Sequence, residues 1–155
     1  MIRAGAKLAF TVLAWAGLSP AQASQDAFVP LLPFEQRGDS VPNPIGGLIG
    51  DPQRGRAIVL DRADGNCLIC HRVPVEGEAF MGEIGPSLAG VADRLTVGQI
   101  RLRMIDQSRI NPDTIMPPYY RVEGLRDVAP EFAGRPAFDA QALEDVVAWL
   151  ATLKE

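Results

Sequence analysis

The 155-residue sequence predicts an all-α fold. Three segments repeat apolar residues at helical spacing, no segment alternates with the two-residue period of a strand, and proline and glycine punctuate the rest. One cluster gives these helices a centre: both cysteines and the only histidine of the chain fall within residues 67–71.

From the N-terminus, Arg3 and Lys7 precede an apolar run over residues 8–18 that ends in Ala21-Gln22-Ala23. This is the pattern of a secretory signal, with cleavage expected between Ala23 and Ser24. A membrane anchor fits less well, because the run falls short of the roughly 20 residues of a spanning helix and Pro20 follows it. The mature chain is expected to be soluble and exported, in a bacterium to the periplasm. Removing the signal leaves thirteen basic and nineteen acidic residues, a formal charge of −6. Such a balance argues against nucleic acid as a ligand and permits docking to a basic partner. What remains suits one small domain.

Residues 24–50 have no helical period, carry Pro30, Pro33, Pro42 and Pro44, and end in Gly46, Gly47 and Gly50. They read as an extended leader whose apolar pieces, 29–34 and 45–49, pack either on their own domain or on another subunit. Asp51 then caps a helix that has Pro52 at its first position and Gly55, Ile58 and Val59 on one face. A glycine inside a helix costs up to about 1 kcal/mol against alanine, so Gly55 predicts a close helix crossing. Residues 73–86 form a loop with no usable period, expected to wrap one side of whatever residues 67–71 hold. Thr96 and Gln99 make a capping box for a second helix carrying Val97, Ile100, Met104 and Ile105. Asn111-Pro112 ends it, and residues 116–120, Met-Pro-Pro-Tyr-Tyr, are extended. Residues 121–138 are largely irregular, with a short helical turn allowed near 125–128. Asp139 caps a final helix with Leu143, Val146, Val147 and Leu150 at helical spacing and Trp149 at its flank.

Cys67-Leu68-Ile69-Cys70-His71 reads as a c-type haem attachment site. Two thiols three positions apart can add across the two vinyl groups of one porphyrin, while the next residue places its imidazole under the iron. A disulfide between Cys67 and Cys70 fits less well, since no βαβ unit surrounds the motif. Structural zinc also fits poorly, because it usually takes four Cys or His ligands and the chain has three such residues. His71 being the only histidine, the second axial ligand comes from a different donor type, and thioether sulfur is the usual alternative. Met116, on a proline-stiffened loop far enough along the chain to cross over, is the preferred candidate. Met81 is a second, and Met104, in the apolar stripe of a helix, reads as core filler. The carbonyl of Pro86, approached through Gly85, is a candidate acceptor for His71 Nδ1–H. Tyr119, Tyr120 and Arg109 are candidates for contact with the haem edge or a propionate, with packing or surface roles as the alternative.

Taken together, Asp51 and Gly55, residues 67–71, Gly85-Pro86 with Leu88, Met116-Pro117 and a final helix with an aromatic residue resemble a class I cytochrome c over residues 51–155. That resemblance implies the class I cytochrome c fold behind an extended N-terminal leader, and one covalently bound haem c. It also places Gly55 where the first and last helices cross, close to Trp149. Residues 85–94, 111–120 and 144–153 resemble more narrowly the SoxX family, the monohaem subunits of the SoxAX cytochromes of bacterial thiosulfate oxidation. This second resemblance implies a heterodimer with SoxA, whose own haem and reactive cysteine join thiosulfate to a cysteine of the carrier SoxYZ. The chain at hand would accept electrons and pass them to an acceptor such as a small cytochrome c. With both cysteines committed to thioethers, no catalytic residue is expected on it.

Overall fold

Three side-chain caps set the helices of the computed structural model, which describes residues 30–130 and 133–155. The signal segment and its cleavage point lie outside the described residues. Asp51 accepts from the N–H groups of Gln53 and Arg54 and starts α1, Pro52–Leu60. After a short α2, Val91–Arg94, Thr96 and Gln99 exchange hydrogen bonds as a capping box and start α3, Val97–Asp106. Asp139 accepts from Ala142 N at 2.7 Å and starts α4, Ala140–Leu150. Each carboxylate or hydroxyl satisfies an N–H group that the first helical turn leaves without a partner. Among the described residues there is no strand, only an isolated bridge between Arg37 and Ser40. The turn allowed near 125–128 is absent, because Gly124 and Asp127 both take left-handed φ, +71° and +54°, which a right-handed helix excludes.

α1 crosses α4 at the expected glycine. A Cβ on Gly55 would lie 1.9 Å from the carbonyl oxygen of Asp145, so the two backbones are in contact there. The crossing sits at Asp145 and Val146, one turn before Trp149, which is buried in the same core. Val59, Ile100, Leu102, Ile105, Leu143, Val146 and Val147 fill the space between α1, α3 and α4.

The described part of the leader packs on its own domain. Val41 and Ile45 are fully buried, and Val41 N donates to Gly98 O at 2.9 Å. Its backbone is held by an ion pair of the helices: Arg101 on α3 and Glu144 on α4 pair bidentately in the interior, with Nε and Nη2 at 2.8 and 3.0 Å from the two carboxylate oxygens. Arg101 Nη1 also donates to Val41 O at 2.8 Å, while Glu144 Oε1 accepts from Ile45 N at 2.9 Å. Farther back, Leu32 N donates to the Tyr120 hydroxyl at 2.7 Å.

Candidate functional site

Asn66, in the left-handed region, turns the chain out of the segment after α1 into a 3-10 turn, Cys67–Ile69. Cys70 N and His71 N both donate to Cys67 O, at 3.2 and 2.9 Å. One turn of backbone therefore carries both thiols and the imidazole. Both cysteines are free, Cys67 buried and Cys70 half-buried. Burial pushes the Cys67 thiol up to about 11. Gly65 O accepts from Cys67 Sγ at 3.5 Å and from the Tyr119 hydroxyl at 3.1 Å. Burial likewise raises the Tyr119 phenol, and the neighbouring Cys67 adds to the effect.

Residues 73–86 are stitched to the motif from the other side. Gly82 N donates to Leu68 O and Gly85 N to Cys70 O, each at 2.8 Å. These bonds bring Pro86 O to 2.7 Å from His71 Nδ1. A proline carbonyl only accepts, so Nδ1 carries the proton and the lone pair is left on Nε2, the tautomer a metal-binding imidazole needs. Gly85 makes the approach possible, since a Cβ there would lie 2.3 Å from His71 Cε1.

Cys67, Cys70, His71 and Pro86 line a cavity of about 630 Å³. Its far walls are Val59 of α1, Ile100 and Met104 of α3, Val146 and Leu150 of α4, and the loop that carries Thr114, Met116 and Pro117. The structure thus gathers every residue the sequence assigned to cofactor or metal: Cys67, Cys70, His71, Pro86 and Met116.

Other candidates sort by position. Met81 is outside the lining, and its sulfur accepts from Val73 N at 3.2 Å. Met104 is both core and lining. Neither tyrosine is in the lining: Tyr119 stacks on Phe138 with ring centroids 4.6 Å apart and sets its hydroxyl beside Cys67, and Tyr120 holds the leader. Arg109 is committed elsewhere, over the Phe34 ring and to Gln36. Two arginines that the sequence reading passed over, Arg94 and Arg103, do line the cavity. Arg103 was legible in principle, because it lies three residues after Ile100 on the face that also bears Met104.

This set fits a c-type haem. Two unbonded thiols open on one apolar cavity with an imidazole already held in its metal-binding tautomer, and a thioether stands in the lining. Among the described residues no group of three or more His, Cys, Asp or Glu is placed to hold a metal ion.

A family model for cytochrome c matches residues 52–154. The chain belongs to the cytochrome c family. Among solved structures, a chain of SoxXA from P. pantotrophus is similar, with a TM-score of 0.72 and 34% identity; the match covers 79% of this chain and 95% of that one. The likeness to SoxX read from residues 85–94, 111–120 and 144–153 and the class I cytochrome c fold are both borne out. No curated protein matches. Among the described residues, no helix is long and apolar enough to cross a membrane.

Proposed function

We propose that this chain is the electron-accepting haem subunit of a SoxAX-type heterodimer, exported to the periplasm, which oxidatively couples thiosulfate to a cysteine of a SoxYZ carrier. The observation that carries the reading is the match to SoxXA over 95% of that chain, with the attachment motif, the proline carbonyl and Met116 all on one cavity. Haem c supplies a one-electron iron couple when bound. The chain's own residues hold and insulate it. Cys67 and Cys70 would anchor it as thioethers, and Pro86 O holds the His71 ring with the Nε2 lone pair free for the iron. Met116 would supply the thioether donor to the iron from the loop across the cavity, since the Met81 sulfur accepts from Val73 N outside the lining and Met104 is core packing on α3.

Coupling a thiol to thiosulfate releases two electrons and a proton, and the thiol must be free to react. Neither cysteine here is spare once haem is attached, so the reactive cysteine belongs to SoxA and this chain passes electrons singly to a downstream acceptor such as a small cytochrome c.

Affinity capture of the tagged chain from thiosulfate-grown cells tests the assignment. It should bring down a second haem protein, and thiosulfate-dependent reduction should require that protein together with a sulfur carrier. A chain that purifies alone, or turns over thiosulfate alone, refutes it.

A further inference from the structure

The loop that carries Met116 makes its hydrogen bonds with itself. Asp113 N donates to Asn111 Oδ1, Thr114 N to Asn111 O and Met116 N to Thr114 Oγ1, each at 3.1 Å. None of these bonds ties the loop to another part of the protein, and Ile115, beside Met116, is 76% exposed. Pro117 and Pro118 follow and have no N–H to offer. The loop is moored at the next residue, Tyr119. Its N–H donates to Met104 O at 3.3 Å, its carbonyl accepts from Phe138 N at 2.9 Å, its ring stacks on Phe138, and its hydroxyl donates to Gly65 O at 3.1 Å.

The last of these bonds reaches the segment that leads into the cysteines. Gly65 stands two residues before Cys67, and its backbone is pressed against α1, where a Cβ would lie 2.3 Å from Ile58 O. Gly65 and Tyr119 are both buried and neither is in the lining, so their bond joins two walls of the cavity from behind. While the Cys67 thiol is free, the same carbonyl also accepts from Sγ, at 3.5 Å. Thioether formation removes that second donor. The Cys67 S–H adds across a vinyl group, sulfur bonds to one vinyl carbon, the hydrogen goes to the other, and no electrons enter or leave. The Tyr119 hydroxyl is then the donor that remains to Gly65 O, and a buried carbonyl stripped of its donor is costly.

We propose that Tyr119 is a positioning residue for the thioether ligand of the iron: its hydroxyl clasps the Met116 loop to the cysteine-bearing turn. The proposal rests on Met116 as axial ligand and adds what keeps it there. Pro117-Pro118 is a stiff spacer of two residues, so a loosened Tyr119 passes its displacement on to Met116.

The test uses the matured haem protein in the ferric state with imidazole as the probe, which binds the iron when the Met116 loop opens. Tyr119→Phe keeps the ring that stacks on Phe138 and removes only the hydroxyl. Gly65 O is then bare in the closed loop and reached by water in the open one, so opening becomes easier. Apparent imidazole affinity follows the open fraction and should rise about three- to tenfold, with haem still covalently attached. Tyr120→Phe, which loses the bond from Leu32 N, is the control: it should lower unfolding stability and leave imidazole affinity at the wild-type value. A role in overall stability alone would move both variants in unfolding and neither in imidazole binding. A rise of less than about twofold in Tyr119→Phe, where the wild type shows the sulfur-to-iron band, overturns the clasp alone. A wild type without that band overturns the Met116 ligation and the clasp with it. If Tyr119→Phe does not mature, proton magnetic resonance of the ferrous wild type decides: a slowly exchanging Tyr119 hydroxyl proton in Overhauser contact with the Gly65 α-protons supports the clasp, and a hydroxyl that exchanges at the solvent rate overturns it.

Discussion

Replacing Arg101 with methionine should destabilise the holoprotein by about 3–5 kcal/mol, because it removes one half of an interior ion pair. The two side chains are 4% and 3% exposed, so water cannot replace what is lost. Glu144 would keep only its bond from Ile45 N, and the Val41 carbonyl would lose its donor. An orphaned buried acceptor costs about 1–3 kcal/mol by itself, and an unpaired buried carboxylate costs more. Against a net stability on the order of 5–15 kcal/mol, this is a large fraction. Removing both charges, in Arg101→Met with Glu144→Leu, should be milder than the single change, since it leaves only the leader's backbone groups unsatisfied. Guanidinium unfolding followed by far-UV dichroism measures both, with the slope expected to stay constant. A single-variant loss under about 1 kcal/mol, or a double variant weaker than the single, would refute the account of the leader as latched by this pair.

Gly55→Val should cost at least about 2 kcal/mol in the same assay, since its Cβ would stand 1.9 Å from Asp145 O and neither backbone can give way cheaply. Met116→Leu should abolish the long-wavelength sulfur-to-iron absorption of the oxidised protein and lower the potential, whereas Met81→Leu should retain the band and lose roughly 1 kcal/mol with the Val73 N–H contact. Gly85→Ala should disturb the His71 ligand field, visible in the paramagnetic resonance spectrum, because the added methyl meets the imidazole. Acid stability follows from Asp145. Burial alone would raise its carboxyl, but hydrogen bonds from Arg54, Asp51 N and Gln141 outweigh that and hold it below the usual 3.8. A carboxyl lowered on folding stabilises the fold above its unfolded value and loses that contribution as the pH falls through the folded one. The wild type should therefore weaken below about pH 4, and Asp145→Asn should flatten that limb of a stability–pH curve.

The parts of the fold that local rules control were legible. Asp51, Thr96 and Asp139 cap their helices as their positions predict, and Gly55 marks the crossing because no other residue allows such an approach. The site was legible for a related reason, since residues 67–71 put both thiols and the imidazole on one turn and Gly85-Pro86 offers a close-approaching carbonyl. Whether the leader packs on its own domain was not legible. Its apolar pieces require a surface but do not name one, and the surface they use is partly charged. Arg101 falls at helical spacing among Val97, Met104 and Ile105, and a local reading names no partner for it; Glu144 of α4 and the Val41 carbonyl of the leader supply them.

The acidic pair at the start of α4 shows why such long-range choices escape a local reading. Glu144 and Asp145 sit in the second turn of the helix, where two acidic residues read locally as surface charge. Both are 2% exposed, however, and each holds a different segment. Glu144 faces α3 and the leader through Arg101 and Ile45 N. Asp145 faces α1 through Arg54 and Asp51 N, at 2.6 and 2.7 Å. The next residue, Val146, lines the cavity. Three consecutive residues of α4 thus tie the leader, the first helix and the cavity wall to one turn of backbone. Loosening the leader by removing Arg101 should then be felt at the haem as well as in stability, through the placement of Val146 and Leu150 rather than through any direct contact.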